Sequence, residues 1–238
     1  MKTSPSPLSD DTARSRASAD DWLAAARDIL IARGVDHVRI VTLADKLGVS
    51  RSSFYWFWRD RAALLSALID VWRQSNRQEI LRQAAAPADD IASAVLNLFE
   101  CWTAHSKFDP RLDFAMREWS RRDVGLQRTL REEDAACVAA IAGMYQRYGF
   151  AEADAFVRAR IVYFTQIGYY AVEPGDTETE RAALTNDYLR AFTGRSASAA
   201  QIAAYHARVL ADPPEFPSGA DMPQHNALPM LDNGRFKG

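Results

Sequence analysis

The chain has 238 residues and a formal net charge of −2, and its composition is 48% hydrophobic and 11% aromatic. These proportions supply enough apolar surface for a sizeable buried core in one or two domains. The longest apolar run, over 135–145, is far shorter than the ~20 residues that a membrane-spanning helix needs. Residues 1–11 contain two prolines and acidic residues but no apolar segment, so we expect neither a membrane span nor a secretory signal.

The sequence contains two cysteines, Cys101 and Cys137, which are too far apart to form a CxxC motif. Isolated cysteines of this kind are most simply buried, reduced thiols, which is typical of a reducing compartment. We therefore expect a cytoplasmic protein without disulfides.

Residues 41–58 are predicted to form two short helices around a tight turn. The first helix has an apolar stripe at three-to-four spacing over 43–47, and Gly48 follows where a left-handed residue is wanted. Ser50 is then a good N-cap for a second helix that begins at Arg51. This arrangement is a helix-turn-helix, a motif that presents its second helix to the major groove of DNA.

The second helix of this motif has one apolar face and one polar face. Phe54 and Trp58 lie one turn apart and are expected to face inward. The residues left toward solvent are Arg51, Ser52, Ser53, Tyr55 and Trp56.

The segment from Asp20 to Leu68 resembles the DNA-binding domain of the TetR family of bacterial transcription regulators. The residues that carry the resemblance are the helix from Trp22 to Arg33 before Gly34, Leu43-Ala44 with Leu47-Gly48-Val49, Phe54-Tyr55-Trp56, and Arg59-Asp60-Arg61 before Leu64-Leu65. Two residues depart from the usual pattern, since relatives often have His at the position of Phe57 and Phe at the position of Trp58. Ser52 also replaces a frequent Gly or Pro.

The front of the second helix supplies the candidate DNA contacts. The Arg51 guanidinium suits bidentate contact with guanine O6 and N7, and its alternative is an ordinary solvated position. Tyr55 suits a phosphate or a thymine methyl, whereas Trp56 either contacts DNA or packs on the first helix. Thr42 and Arg61 stand at predicted helix starts, where they would help to hold a phosphate. The candidate set is Thr42, Arg51, Ser52, Ser53, Tyr55, Trp56 and Arg61.

Basic charge is concentrated in the same part of the chain. Residues 39–61 contain five Lys or Arg against two Asp, whereas the chain beyond Arg73 contains 18 basic and 22 acidic side chains. A basic surface favours contact with DNA phosphates. The excess of basic over acidic residues is modest. The prediction of DNA binding therefore rests on the helix-turn-helix motif, and the charge distribution is compatible with it.

Helical patterns continue beyond the motif and no useful β pattern occurs, which predicts an all-α protein. The further predicted helices cover 60–83, about 90–102, 110–119, 123–148, 151–172 and 178–193, with one short helix over 200–211. We divide the chain into a flexible arm over 1–17, a three-helix helix-turn-helix domain over 18–66, a helical ligand-binding and dimerisation domain over 67–195, and a partly irregular tail over 196–238. Arg14 and Arg16 of the arm are linker charges or, alternatively, minor-groove contacts.

The resemblance implies that the C-terminal domain binds a small inducer and dimerises. Aromatic side chains with a few polar groups suit a ligand cavity, although any one of them is more often ordinary core. The candidate cavity residues are Phe99, Trp102, Phe114, Trp119, Tyr145, Tyr163, Gln166 and Tyr169.

The helices over 151–172 and 178–193 have more apolar surface than one monomer core would bury, so we expect them to pair with their mates as a four-helix bundle. The candidate interface residues are Phe164, Leu184, Tyr188, Leu189 and Phe192.

An enzyme, or a small-molecule-binding helical protein without a DNA role, is the alternative class. The four histidines lack metal-ligand spacing, and HExxH, GxSxG, GxGxxG and P-loop motifs do not occur. We therefore expect no catalytic residues, no metal and no cofactor. The sequence favours a cytoplasmic, homodimeric, ligand-responsive regulator that binds double-stranded operator DNA, and the resemblance implies a repressor.

Overall fold

The structure, a computed structural model, describes residues 17–103, 107–172 and 174–210. Every regular element within those ranges is helical, which confirms the predicted all-α fold. Nearly all of the predicted arm and the tail beyond residue 210 lie outside the described residues. The α-helices are α1 Ala19–Arg33, α2 Ile40–Leu47, α3 Arg61–Trp72, α4 Gln78–Ala85, α5 Ile91–Glu100, α6 Pro110–Ser120, α7 Val124–Arg147, α8 Glu152–Val172, α9 Glu178–Ala183, α10 Thr185–Thr193 and α11 Ala199–Val209.

Local capping groups explain where the first helices begin and end. α1 begins after Ser18, whose hydroxyl accepts a hydrogen bond of 3.1 Å from the Asp21 amide, while the Asp21 carboxylate accepts one of 2.7 Å from the Ser18 amide. α2 ends at Gly48, which has the left-handed φ of 65° that the predicted turn requires. The chain therefore turns where its sequence predicts.

The second helix of the motif has a different geometry from the one predicted. It begins at Arg51, as expected, but it is a 3₁₀ helix over Arg51–Trp56, which we call the recognition helix. The Ser50 hydroxyl does not cap it, because that hydroxyl lies 2.9 Å from the Ser52 hydroxyl instead. A 3₁₀ helix has three residues per turn, so side chains three apart share one face.

The predicted long helix after the motif is confirmed, and a π turn over Arg73–Arg77 joins its two parts, α3 and α4. α3 begins after Asp60, whose carboxylate accepts a backbone hydrogen bond of 2.8 Å. Within the π turn the Asn76 side chain is buried and forms hydrogen bonds of 2.8 and 3.1 Å with the backbone of Asp109. The turn is thus attached to the loop that leads into α6.

The predicted helix over 178–193 is divided into α9 and α10. Leu184 separates them with a φ of −89° and a ψ of −2°, values that leave the α-helical region. α10 ends at Gly194 in a left-handed conformation, as predicted. The helical periodicity of this segment is real, but it does not reveal the break.

Buried apolar side chains form two separate cores. The first packs α1, α2, the recognition helix and α3 against α6 and the first part of α7; its largest members include Trp22, Leu43, Phe54, Leu68, Trp72, Met116 and Trp119. The second joins α4, α5, α8, α10 and α11 to the rest of α7. The packed unit that contains the helix-turn-helix therefore extends beyond residue 66, because α6 completes its core.

A polar cluster lies where four helices meet, and we call it the Arg117 cluster. Arg117 of α6 donates to Asp113 at 2.7 Å and to Asp134 of α7 at 2.9 Å. The Tyr163 hydroxyl of α8 donates to Asp134 at 2.7 Å, and the Trp72 indole N–H of α3 donates to Asp113 at 2.8 Å. Burial disfavours the charge of Arg117, but hydrogen bonds to Asp134 and the charge of Asp113 outweigh it and raise the pKa of Arg117.

We predict that Arg117→Leu lowers the free energy of unfolding by about 3–5 kcal/mol, because two mostly buried carboxylates lose their common partner. Urea denaturation followed by circular dichroism measures the loss. Arg190→Leu is the matched control: Arg190 pairs with Asp187 at 66% and 62% side-chain exposure, so its loss should cost less than about 1 kcal/mol. Equal losses in the two variants would contradict the role given to the cluster.

Candidate nucleic-acid interface and ligand cavity

The recognition helix is held in place by Phe54. This side chain is fully buried, and its ring packs edge to face against Trp22 of α1 at 5.2 Å between centroids. The neighbouring Tyr55 and Trp56 side chains are 60% and 64% exposed. An anchored helix with two exposed aromatic side chains is typical of an interaction surface, since such groups are normally buried.

The polar side chains of the recognition helix lie beside these aromatics. Arg51 and Ser52 are exposed, and the threefold repeat of the helix places Ser52 on the same face as Tyr55. Ser53 is half-buried and its hydroxyl donates to the Ser50 carbonyl at 2.7 Å. Arg51, Ser52 and Tyr55 are thus all exposed on the recognition helix, whereas the Ser53 hydroxyl is engaged with backbone.

Thr42 and Arg61 flank the recognition helix, Thr42 on α2 and Arg61 at the start of α3, and both are half-buried. The Arg61 guanidinium donates to the carbonyls of Val38 at 2.5 Å and Val35 at 2.6 Å. It therefore ties α3 to the segment that leads into α2. Two of its donors are used within the protein, which the sequence pattern did not indicate.

The C-terminal domain contains a cavity of about 140 Å³. Its walls come from the end of α5 and from α8, α9, α10 and α11. Four of the predicted residues line it, namely Phe99, Trp102, Gln166 and Tyr169. Lining residues that were not predicted for the cavity include Arg181, Thr185, Tyr188, Phe192 and Tyr205. Tyr188 and Phe192 had been assigned to the dimer interface.

The other four predicted cavity residues lie elsewhere. Phe114 is 40% exposed on α6, and Trp119 belongs to the N-terminal core. Tyr145 is buried in the second core, where its hydroxyl donates to the Phe192 carbonyl at 3.4 Å. Tyr163 belongs to the Arg117 cluster. None of these four side chains lines the cavity.

One face of α8 is apolar and exposed. Phe156, Val157, Ile161 and Phe164 are between 39% and 52% exposed, and their spacing places them on one side of the helix. The Arg160 guanidinium lies over the Phe156 and Phe164 rings, at 5.7 and 4.9 Å from their centroids. Of the other residues predicted for the interface, Leu184 and Tyr188 are exposed, whereas Leu189 and Phe192 are buried within the single chain.

Neither cysteine has the environment of a reactive thiol. Both are buried, and burial raises the pKa of Cys101 well above its usual value and that of Cys137 to about 12. Within the described part of the chain there is no group of three His, Cys, Asp or Glu side chains that could hold a metal ion. The same residues include no helix long and apolar enough to cross a membrane.

The geometry around the recognition helix is that of a helix-turn-helix DNA-binding domain, and the sequence matches a known family over the same residues. Residues 23–68 match the family model for bacterial regulatory proteins of the tetR family. The match runs from α1 through the recognition helix into α3. Residues 23–68 are therefore a DNA-binding segment of the tetR type, which supports a role of the protein in transcription regulation.

Two solved structures are similar in fold over most of their length. GusR of Salmonella enterica aligns with a TM-score of 0.52 at 14% identity, covering 85% of this chain and 98% of GusR. A transcriptional regulator from Rhodococcus sp. Rha1 aligns with a TM-score of 0.51 at 15% identity, covering 81% of this chain and 97% of its own. No curated protein matches the sequence significantly.

Proposed function

We propose that this protein is a cytoplasmic, homodimeric repressor that releases its operator when a small molecule binds in the C-terminal cavity. The main support for this proposal is the Arg117 cluster. It connects α3, which follows the recognition helix, to α8, which lines the cavity. The exposed Arg51, Ser52 and Tyr55 support the DNA-binding half of the proposal. The aromatic cavity supports the ligand-binding half.

In this proposal the recognition helix enters the major groove. Arg51 reads a base edge, Tyr55 contacts a phosphate or a thymine methyl, and Trp56 packs on the sugar-phosphate backbone. Of the remaining set, Thr42, Ser52 and Arg61 hold phosphates, and Ser53 joins them by exchanging its hydrogen bond to the Ser50 carbonyl for one to a phosphate. Arg61 has a second task, because its bonds to Val35 and Val38 hold the motif in shape.

Dimerisation places two recognition helices on one operator. A two-fold dimer matches half-sites about 34 Å apart, or a multiple of that distance. The exposed apolar face of α8, with Leu184 and Tyr188 beside it in sequence on α9–α10, offers the surface for a four-helix bundle with a second copy. Leu189 and Phe192 support this surface from beneath, since both are buried in the single chain.

Ligand release requires a connection between cavity and DNA. Val162 and Gln166 of α8 line the cavity, and Tyr163 between them donates to Asp134 of the Arg117 cluster. The cluster in turn contacts Trp72 at the end of α3. A ligand that shifts α8 therefore acts on α3, and the two binding events must be linked reciprocally.

The DNA assignment is tested with Arg51→Ala. We expect it to weaken binding to a duplex from the gene's own upstream region by about 1–3 kcal/mol and to relax preference at one base pair per half-site, because a base contact is lost. Fluorescence anisotropy at fixed salt measures both effects. Arg128→Ala, an exposed Arg on α7, serves as the control and should leave binding unchanged. If the wild type binds that duplex no better than random DNA, the proposed DNA-binding function is contradicted.

The dimer is tested with Ile161→Lys, which places a charge in the centre of the exposed α8 face. The variant should run in light scattering as a 26.6 kDa monomer, against twice that mass for the wild type, and should lose operator binding. Val124→Lys is the control, because Val124 is an apolar residue that is 82% exposed on α7. A monomeric wild type with full operator binding would show the interface to be wrong.

The ligand response is tested by screening small molecules for a rise in melting temperature, since a ligand at 100 times its Kd adds about 2.7 kcal/mol. Each stabilising compound is expected to lower operator affinity. Ala182→Phe, which fills the cavity wall, should abolish the response and retain operator binding. Compounds that bind in the cavity and leave operator affinity unchanged would contradict the release mechanism.

A further inference from the structure

Aromatic side chains supply a large part of the cavity wall in the C-terminal domain. Six of the side chains that line it are aromatic: Phe99, Trp102, Tyr169, Tyr188, Phe192 and Tyr205. Several of these rings also contact each other, as Phe99 does with Trp102 and Phe192 at 6.2 and 6.1 Å between centroids. Aromatic walls of this kind favour a ligand that is itself aromatic, through offset or edge-to-face contacts.

The charges beside the Tyr169 wall are of both signs. Among the described residues that line the cavity there is no carboxylate, and Arg181 supplies a guanidinium. That guanidinium lies 6.0 Å from the centre of the Tyr169 ring and takes part in a further interaction within the protein. The Tyr169 hydroxyl donates to the Asp176 carboxylate at 2.9 Å, so a negative charge lies beside the same side chain.

The Tyr205 wall has a negative charge nearby. Burial raises the pKa of Tyr205, and the charge of Glu100 adds to this rise more than the charge of Arg181 opposes it. The Glu100 carboxylate itself pairs with Arg208 at 2.7 Å. A ligand charge of either sign would therefore have a like charge close to one of the walls.

Part of the cavity lies deep within the domain. Val162, Thr185 and Tyr205 all line it, and they are only 1%, 5% and 6% exposed. An ionised group is costly to bury there unless it is paired with an opposite charge, whereas a neutral polar group needs only hydrogen bonds. The side chains of Gln166 and Thr185 can supply such bonds from the same walls.

The volume of the cavity limits the size of the ligand. At about 140 Å³ it is close to the roughly 150 Å³ that accommodates benzene in an engineered cavity. The available space therefore suits one aromatic ring with a small substituent.

We infer that the effector class is a small uncharged molecule with one aromatic ring, which lies between the aromatic walls and has a neutral polar substituent bound by Gln166 or Thr185. This inference rests on the proposed function, because it takes the cavity to be the effector site. It adds the chemical class of the effector.

The absence of charge is tested with three probes of nearly equal size, benzamide, benzoate and benzylammonium, at about pH 8. Ligand-observed NMR titrations of the wild type should give a Kd for benzamide that is at least about tenfold lower than that for either ion, because only the ions lose the hydration of a charge. Benzoate or benzylammonium that binds as tightly as benzamide would overturn the uncharged class.

The aromatic ring is tested by comparing benzamide with cyclohexanecarboxamide, which has the same substituent on a saturated ring. Burial of apolar surface does not favour benzamide, because the saturated ring is at least as apolar, so a preference measures contacts between aromatic rings. We expect benzamide to bind about threefold to tenfold more tightly. Equal binding of the two amides would overturn the aromatic class.

Variants locate the site of these effects. Trp102→Leu removes one ring from the wall and should reduce the preference for benzamide over the saturated amide, and Tyr188→Leu should do the same at a ring that is 40% exposed. Trp56→Leu, a change of the same type on the recognition helix, should leave the preference intact. Ala182→Phe should abolish benzamide binding. An undiminished preference in both Trp102→Leu and Tyr188→Leu would contradict the role given to the walls.

The outcomes separate the ligand class from the proposed function. If no probe binds at concentrations up to about 10 mM, the ligand class is overturned, whereas release by another cavity ligand is still decided by the melting-temperature screen and Ala182→Phe. If benzamide binds with the expected preferences but operator anisotropy does not change, the ligand class stands and the release mechanism fails.

Discussion

The relative positions of the helices depend on the ion pairs and hydrogen bonds that Arg117 forms. A guanidinium that is largely withdrawn from water is costly unless its charge and its donors are met, and Asp113 and Asp134 meet both. Those carboxylates are themselves held by Trp72 and Tyr163. Because an ion pair of this kind tolerates little displacement, four helices that belong to two different cores are fixed relative to one another.

The division of the chain follows from this junction. α6 packs its apolar side with the helix-turn-helix, through Leu112, Met116 and Trp119, and turns its polar side to α7 and α8. The recognition helix packs on α1 through Phe54, and α1 in turn contacts α6, which lies about 60 residues later in the chain. Tyr163 of α8 lies at this polar side of α6, with its hydroxyl 3.5 Å from the Arg117 guanidinium.

Local signals predict the N-terminal part well. Gly48 and Phe54 mark the turn and the buried face of the second helix through chemistry within a few residues, and that helix begins after Ser50 although the Ser50 hydroxyl does not cap it. The 3₁₀ geometry of the recognition helix is less predictable, because α-helices and 3₁₀ helices begin with the same pattern of residues.

The cavity is harder to predict, for a physical reason. Periodicity identifies the apolar face of a helix but not the core that the face joins. Trp119 and Trp102 look alike in sequence, yet the first completes the DNA-binding core and the second lines the cavity. Arg181 was not predicted to line the cavity, because the sequence around a single Arg after a Pro-Gly turn does not indicate which side chains it will face in the fold. The sequence around Leu184 likewise does not indicate the break between α9 and α10.

The π turn between α3 and α4 determines where this long helix tolerates the deletion of a residue. Buried positions follow one another at intervals of four along this helix: Leu64, Leu68, Trp72, Asn76, Ile80 and Ala84. In a regular α-helix each such step overshoots a full turn by about 40°, so the buried stripe would wind away from both cores. The extra residue of the π turn takes back about 100° of that drift. Deleting one residue within 73–77 would therefore restore a regular α-helix and leave its second half facing the same way. A deletion that leaves the π turn in place would instead rotate the second half by about 100°, so the π turn is the place where this long helix can lose a residue.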